Sequence, residues 1–176
     1  AGQLARIYGC KVVGITSTDD KCQWLTETLG FDAAINYRDD NWPAQLKQAC
    51  PEGIDIYFDN AGGEILNTAL GQIRDAARIV LCGGISRYNA TEIPSGPGNY
   101  FNLIFRRARM EGFIVLDYFS EFASAIEAMA PYVASGQLKN QATISHGFET
   151  LPDALIALFT SSNLGKQLVC IDATAP

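Results

Sequence analysis

A glycine-rich strand end stands at residues 78–89, RIVLCGGISRYN. A short apolar run leads directly into Cys82, Gly83 and Gly84, and a polar cluster that ends in Tyr88 follows. The carboxyl ends of parallel strands carry the binding sites of open α/β sheets, and paired glycines there let a flat ligand approach the backbone because no Cβ intervenes. The pattern predicts a ligand-facing strand end.

A second stretch, residues 54–63 (IDIYFDNAGG), has the same organisation. Its apolar strand ends in Asp59 and Asn60, and Gly62 and Gly63 follow. Either glycine pair alone is also compatible with a tight turn. Two such strand ends in succession favour one shared crevice.

The elements around these stretches alternate between strand and helix patterns. Such alternation predicts βαβ units with right-handed crossovers, hence an α/β fold with a doubly wound parallel sheet. The predicted strands are residues 11–15, 33–36, 54–59, 79–81, 113–116 and 167–171. The predicted helices are an opening helix before Gly9, a helix ended by Gly30, one capped by Asn41, residues 64–72, residues 100–110, a helix ended by Gly136 and a helix after Thr150.

Two late helices carry apolar residues at helical spacing, which predicts inward-facing sides. They are Phe122, Ile126, Met129 and Val133 in the first, and Leu155, Leu158 and Phe159 in the second. The loop between residues 89 and 99 is long enough to be functional, and it could fold over a ligand.

Composition narrows the function classes. A net charge of -6 and a pI near 4.7 argue against nucleic-acid or anionic-membrane partners. The sequence has no apolar run long enough for a membrane span, so a cytoplasmic protein is expected. Five scattered cysteines and a single histidine, His146, support neither disulfides nor a metal site.

The end of the strand at residues 11–15 bears on the choice of cofactor. A doubly wound sheet with glycine-rich strand ends usually binds a nucleotide, although the GxGxxG fingerprint is absent from the chain. Thr16, Ser17 and Lys21 follow this strand, with no acid before Asp19 to bind a ribose diol. Hydroxyls and a cation suit a 2'-phosphate, so NADPH is favoured over NADH. Lys21 is also compatible with an ordinary solvated surface lysine.

Four sequence blocks carry a family resemblance: FDNAGGEIL (58–66), RIVLCGGISRYN (78–89), RARMEGFIV (107–115) and NLGKQLV (163–169). They resemble the zinc-independent medium-chain dehydrogenase/reductase enzymes of the prostaglandin reductase, or leukotriene B4 12-hydroxydehydrogenase, group. The resemblance implies a Rossmann-like fold and NADPH-dependent reduction of the carbon-carbon double bond of enals and enones. It also implies that the first strand and the glycine-rich loop lie upstream of Ala1, and that the isolated fragment is inactive.

The same resemblance implies roles for individual residues. Tyr88 would be the catalytic residue, stabilising or protonating the enolate oxygen. The implied cofactor contacts are Lys21 and Tyr37 at the 2'-phosphate end, Asn60 beneath the cofactor, Cys82, Gly83, Gly84, Ile85, Ser86 and Tyr88 along the nicotinamide half, Phe113, Ile114 and Val115 at the carboxamide, and Asn163 in the tail; Ser17 joins them through its hydroxyl.

The resemblance further implies a partial cofactor-binding domain over residues 1–137 and, over residues 138–176, a segment that packs on a catalytic domain. It implies a homodimer through residues 113–116 as a strand edge.

A short-chain dehydrogenase is rejected, because Asn60-Ala61-Gly62 imitates its NAG motif but no tyrosine has a lysine four residues later. A metal-dependent alcohol dehydrogenase is disfavoured by the cysteine pattern. A quinone reductase and a non-catalytic NADPH-binding or crystallin-like protein stay open as alternatives.

Overall fold

Strands and helices alternate along the part of the chain that the computed structural model describes, residues 1–88, 90–92, 94–160 and 162–171. The strands are β1 (Val13–Thr16), β2 (Ala33–Asn36), β3 (Ile54–Asp59), β4 (Ile73–Leu81), β5 (Arg109–Gly112), β6 (Ala142–His146) and β7 (Lys166–Cys170). The α-helices are α1 (Gly2–Ile7), α2 (Asp19–Gln23), α3 (Trp42–Ala49), α4 (Gly63–Leu70), α5 (Asn102–Phe105), α6 (Phe122–Ala134) and α7 (Leu151–Thr160). This alternation confirms the predicted α/β class.

All the strand pairs are parallel, and they form three groups in the described residues: β1-β2, β3-β4-β5 and β6-β7. In the middle group, the register places Asp59 beside Leu81 and Leu81 beside Gly112. The carboxyl ends of three strands therefore meet at one edge, as the two glycine-rich stretches predict.

Two hydrophobic cores hold the first five strands. One lies between α4 and β4, where Leu66 and Leu70 pack with Ile73, Ala77 and Ile79. Leu66 and Leu70 are four residues apart, so they share one face of α4. Full burial of a leucine such as Leu70 contributes about 2 kcal/mol.

The second core joins β2 to α3 through Ile35, Trp42 and Leu46. Ile54 of β3 and Ile65 of α4 also pack against it, so the second core touches the elements of the first. Asn41 precedes α3 as predicted, but its side chain makes no capping bond and instead accepts a hydrogen bond from Gln45 Nε2 at 2.7 Å.

The predicted helix over residues 100–110 is wrong in its second half. A 3₁₀ turn, Gly98–Phe101, leads into α5, and Arg107, with φ +50°, lies beyond the end of that helix. Met110 then packs against the first core, while Arg109 and Glu111 on either side are exposed and form an ion pair at 2.7 Å. Alternation with a period of two is the pattern of a strand, which β5 is.

The predicted strand at residues 113–116 is also wrong. Its neighbour β4 ends at Leu81, which pairs with Gly112 and accepts the last ladder bond from Phe113 N, so residues 114–116 have no ladder partner there. The chain winds instead into a 3₁₀ segment, Val115–Glu121, and Ile114, Val115 and Leu116 are exposed.

The inward faces predicted for α6 and α7 are largely uncovered. Ile126 is 64% exposed and Leu155 58% exposed, and Val133, Leu158 and Phe159 are exposed as well. Helix α7 packs mainly on β7, so most of its apolar side meets no other described element. Strand β6 was not predicted from the sequence. No helix among the described residues is long and apolar enough to cross a membrane.

Candidate functional site

A cleft of about 1010 Å³ lies where β3, β4 and β5 end. The strand ends contribute Asp59, Leu81 and Gly112 to its wall. Of the residues predicted for the site, Cys82, Gly83, Gly84, Tyr88, Phe113 and Ile114 line it. The cleft is at the upper end of the usual size range of ligand pockets.

Asp59 is the residue that organises the turn after β3. Its side chain is 1% exposed, and its carboxylate accepts hydrogen bonds from Ala61 N at 3.0 Å and from Gly62 N at 3.0 and 3.1 Å. The Tyr57 hydroxyl donates to the same carboxylate at 3.0 Å. Burial, and then the negative charge of Asp59, raise the pKa of Tyr57, so the phenol stays protonated as a donor.

The backbone of this turn also holds the strand end of β4. Cys82 N and Gly83 N donate to the Asp59 carbonyl at 2.8 and 3.1 Å, and Ile85 N donates to Asn60 O at 3.1 Å. The Ser86 hydroxyl donates to Ala61 O at 2.7 Å. The two glycine-rich stretches are therefore one hydrogen-bonded unit.

The glycine pairs face each other within this unit. Gly62 and Gly63 have φ of +68° and +57°, where an L side chain is strained. A Cβ on Gly63 would lie 3.0 Å from Ser86 Oγ, and one on Gly83 would lie 3.4 Å from Asn60 O. Side chains larger than hydrogen would fill this cradle.

Tyr88 stands at the rim of the cleft. It ends the 3₁₀ turn Ile85–Arg87, its N–H donates to Ile85 O at 3.2 Å, and its side chain is 67% exposed. The phenol is therefore open to a molecule in the cleft. Arg87, which the sequence reasoning did not select, lines the cleft beside it.

Phe113 belongs to an aromatic group next to the cleft. Its ring lies 6.3 Å from that of Phe58 and 6.2 Å from that of Tyr118. Its N–H points to Leu81 O at 3.4 Å, as the last contact of the ladder between β4 and β5. Ile114 follows with its side chain exposed.

Part of the loop after Tyr88 contributes to the wall of the cleft. Its residues 94–98 line the cleft; Asn89 and Ile93 lie outside the described residues. Asn67 of α4 secures its far end, because Asn67 Oδ1 accepts from Asn99 N at 3.1 Å and Asn99 Nδ2 donates to Asn67 O at 2.8 Å.

Ser17 directly follows β1, Lys21 lies in α2 just beyond it, and Tyr37 directly follows β2. Ser17 is buried, and Tyr37 N donates to Thr16 O at 2.9 Å. Partial burial, and then the positive charge of Arg38, lower the pKa of Lys21. Arg38 therefore lies near Lys21, and the sequence reasoning missed it although it directly follows Tyr37.

The remaining predicted residues do not line the cleft. Asn60, Ile85 and Ser86 belong to the hydrogen-bonded unit behind it, and Val115 begins the 3₁₀ segment after it. Asn163 Nδ2 donates to Gly165 O at 2.9 Å in the turn before β7. The structure therefore does not bring Asn163 into the cleft.

Side chains that could bind a metal ion are not clustered in the part of the chain that the structure describes. Among the described residues, no group of three or more His, Cys, Asp or Glu side chains is placed to hold a metal ion.

Comparison with known proteins places this architecture. The chain is 41% identical over 171 residues to a 2-alkenal reductase (NADP(+)-dependent) of Nicotiana tabacum, covering 97% of this chain and 50% of that protein. It is 36% identical over 173 residues to the NADPH-dependent curcumin reductase of Escherichia coli (strain K12), covering 96% and 50%. The chain thus spans about half the length of these curated relatives.

A solved structure and a family profile agree with these relatives. The crystal structure of CurA in complex with NADPH from Vibrio vulnificus matches with a TM-score of 0.91 and 37% identity, over 99% of this chain and 53% of that one. The profile described as zinc-binding dehydrogenase matches residues 1–131. The chain therefore belongs to the zinc-binding dehydrogenase family, and within it to the zinc-independent medium-chain dehydrogenase/reductase group of alkenal and enone reductases.

Proposed function

We propose that this chain is the cofactor-binding part of an NADPH-dependent oxidoreductase that reduces the carbon-carbon double bond of α,β-unsaturated aldehydes and ketones. The observation that carries the proposal is the cleft at the ends of β3, β4 and β5, with two glycine pairs in its wall and an exposed phenol, Tyr88, at its rim. The relatives named 2-alkenal reductase and curcumin reductase support the same reaction class.

The residues present fit a dinucleotide. The glycine cradle leaves the backbone approachable, and the aromatic group around Phe113 offers apolar surface at the other wall. At the ends of β1 and β2, Lys21 and Arg38 would hold a 2'-phosphate. NADPH bound here would supply a hydride to the β-carbon of the substrate.

Tyr88 would act on the oxygen of the conjugated carbonyl. As the double bond is reduced, negative charge moves to that oxygen, and the phenol can donate a hydrogen bond to it or a proton to the product. Because only the transition state carries the developing charge, the interaction would raise the rate more than it improves substrate binding.

The test is turnover by the intact protein with NADPH and an enal, followed by absorbance at 340 nm and by identification of the product. A saturated aldehyde supports the proposal, whereas an allylic alcohol would refute reduction of the carbon-carbon bond. Turnover of quinones alone would favour a quinone reductase. Saturable NADPH binding without turnover of either would favour a non-catalytic binding protein.

Two further properties belong to this proposal. We expect the 176-residue chain alone to be inactive, since the exposed apolar sides of α6 and α7 require a covering surface for a stable protein. Turnover by the purified chain at the rate of the intact protein would contradict this expected inactivity.

We also propose a cytoplasmic homodimer that buries the exposed residues 113–116. Because these residues form no strand, the contact would be apolar packing rather than a shared ladder.

A further inference from the structure

Asp59 is a buried carboxylate whose role the proposed reaction does not explain. Among the described residues, Asp59 is the one charged residue whose side chain is buried. It takes part in none of the ion pairs that these residues form. Burial of a charge is unfavourable unless hydrogen bonds compensate it. Here two backbone N–H groups and the Tyr57 hydroxyl provide them.

The bonded N–H groups belong to a turn that is conformationally permissive. Gly62 and Gly63 lie in the left-handed region, and glycine occupies many other backbone conformations at little cost. Both carboxylate oxygens contact Gly62 N, which restricts the turn to the observed conformation. The carbonyl of the same Asp59 accepts from Cys82 N and Gly83 N, so the second glycine pair is fixed to the same residue.

We infer that Asp59 is a positioning residue that fixes both glycine pairs in the conformation that receives the cofactor. The inference rests on the proposed function, in which the cofactor lies against these glycines. Without the carboxylate, the turn over residues 60–63 would sample other conformations, and cofactor binding would have to order it again. Asp59 belongs to the wall of the cleft but is only 1% exposed, so it acts through the N–H groups of the turn that its carboxylate holds.

The decisive variant is Asp59→Asn in the intact protein. An amide nitrogen in place of one carboxylate oxygen cannot accept from Gly62 N, so one of the bonds that fix the turn is lost. Asp55→Asn is the matched control, because Asp55 is an exposed aspartate on the same strand. Two quantities are measured: the Kd for NADPH from its fluorescence, and the exchange rates of individual amides by NMR in the cofactor-free protein.

We expect Asp59→Asn to raise the Kd for NADPH by about tenfold or more, as the loss of a charge-assisted bond implies. The amides of residues 60–63 and 82–86 should exchange faster, while Asp55→Asn changes neither quantity. A variant with a lower Tm but an unchanged Kd and unchanged local exchange would overturn the inference, because Asp59 would then contribute only to general stability.

Two outcomes separate this inference from the proposed function. If the unaltered protein does not bind NADPH, the proposed function fails, and the exchange rates alone decide whether Asp59 fixes the turns. If Asp59→Asn does not fold, Asp59→Ser replaces it. The serine hydroxyl can still accept from Ala61 N, and serine has no amide NH2 group that would face the Gly62 N–H donor. Faster exchange at Gly62 and Gly63 in Asp59→Ser supports the inference, and unchanged exchange there overturns it.

Discussion

Gln3 of α1 and Lys139 are joined by two hydrogen bonds: Gln3 Nε2 donates to the Lys139 carbonyl at 3.0 Å, and Lys139 N donates to Gln3 Oε1 at 2.7 Å. Lys139 Nζ also donates to Thr28 O at 2.6 Å. These bonds tie the start of the segment over residues 138–176 to the first helix. Whether a domain boundary falls between residues 137 and 138 stays a prediction.

Replacing Gln3 should loosen this attachment. Gln3→Ala removes both side-chain bonds, and each exposed bond contributes about 0.5–1.5 kcal/mol. The two bonds together contribute about 1–3 kcal/mol, so for a chain of this size we expect a fall in Tm of roughly 2–12 °C by calorimetry. Gln48→Ala, on the exposed side of α3, is the control and should have little effect. Equal falls in the two variants would contradict the attachment.

Lys21 and Arg38 should determine the preference for NADPH over NADH. Lys21→Ala and Arg38→Ala each remove a cation from the proposed 2'-phosphate site, which we expect to weaken NADPH binding by about 1–3 kcal/mol. NADH has no phosphate there, so its Kd should hardly change. Isothermal titration with both cofactors measures this, with Lys47→Ala on α3 as the control. Equal losses of binding free energy for NADPH and NADH would show that Lys21 and Arg38 do not bind the 2'-phosphate.

Tyr88→Phe tests the proposed proton donor. We expect kcat for enone reduction to fall roughly tenfold or more, with little change in the Kd for NADPH, because the lost bond forms as charge develops. Tyr100→Phe, at a tyrosine that does not line the cleft, is the control. An effect confined to KM for the enone would make Tyr88 a binding residue, and unchanged kinetics would exclude both roles.

The proposed dimer predicts a specific effect of charge at residues 113–116. Leu116→Asp would place a carboxylate in the apolar contact, whose desolvation is unfavourable, and should give monomers by light scattering. Ile104→Asp alters an equally exposed apolar residue on α5 and should leave the dimer intact. If light scattering shows that the unaltered intact protein is a monomer, the dimer proposal is wrong.

The sequence predicted the strand ends well because their signals are local. An apolar run followed by paired glycines fixes both the strand and its exit, and β3 and β4 indeed end at Asp59 and Leu81. The position of Tyr88 follows from the same pattern. Local patterns also located β2 without error, since Ala33–Asn36 is the observed strand.

The sequence failed where pairing partners decide the structure. The apolar run after Gly112 has high strand propensity, but a strand needs a neighbour, and β4 ends before it. Arg38 was missed because its relation to Lys21 depends on the pairing of β1 with β2. Asp59 was read as a polar strand end, since its burial and its bonds to Ala61 and Gly62 become visible only in the folded turn.

The two hydrophobic cores differ in size, which affects how the protein unfolds locally. Among the described residues, the core of Ile35, Trp42 and Leu46 has three buried members against five in the other core, so we expect it to be the unit that opens at lower free energy, coupled to the other through Ile54 and Ile65. That unit carries Lys21 and Arg38, whereas the cleft belongs to the other. A dinucleotide that bridges the two would link their unfolding, so the smaller unit gains stability with each rise in cofactor concentration.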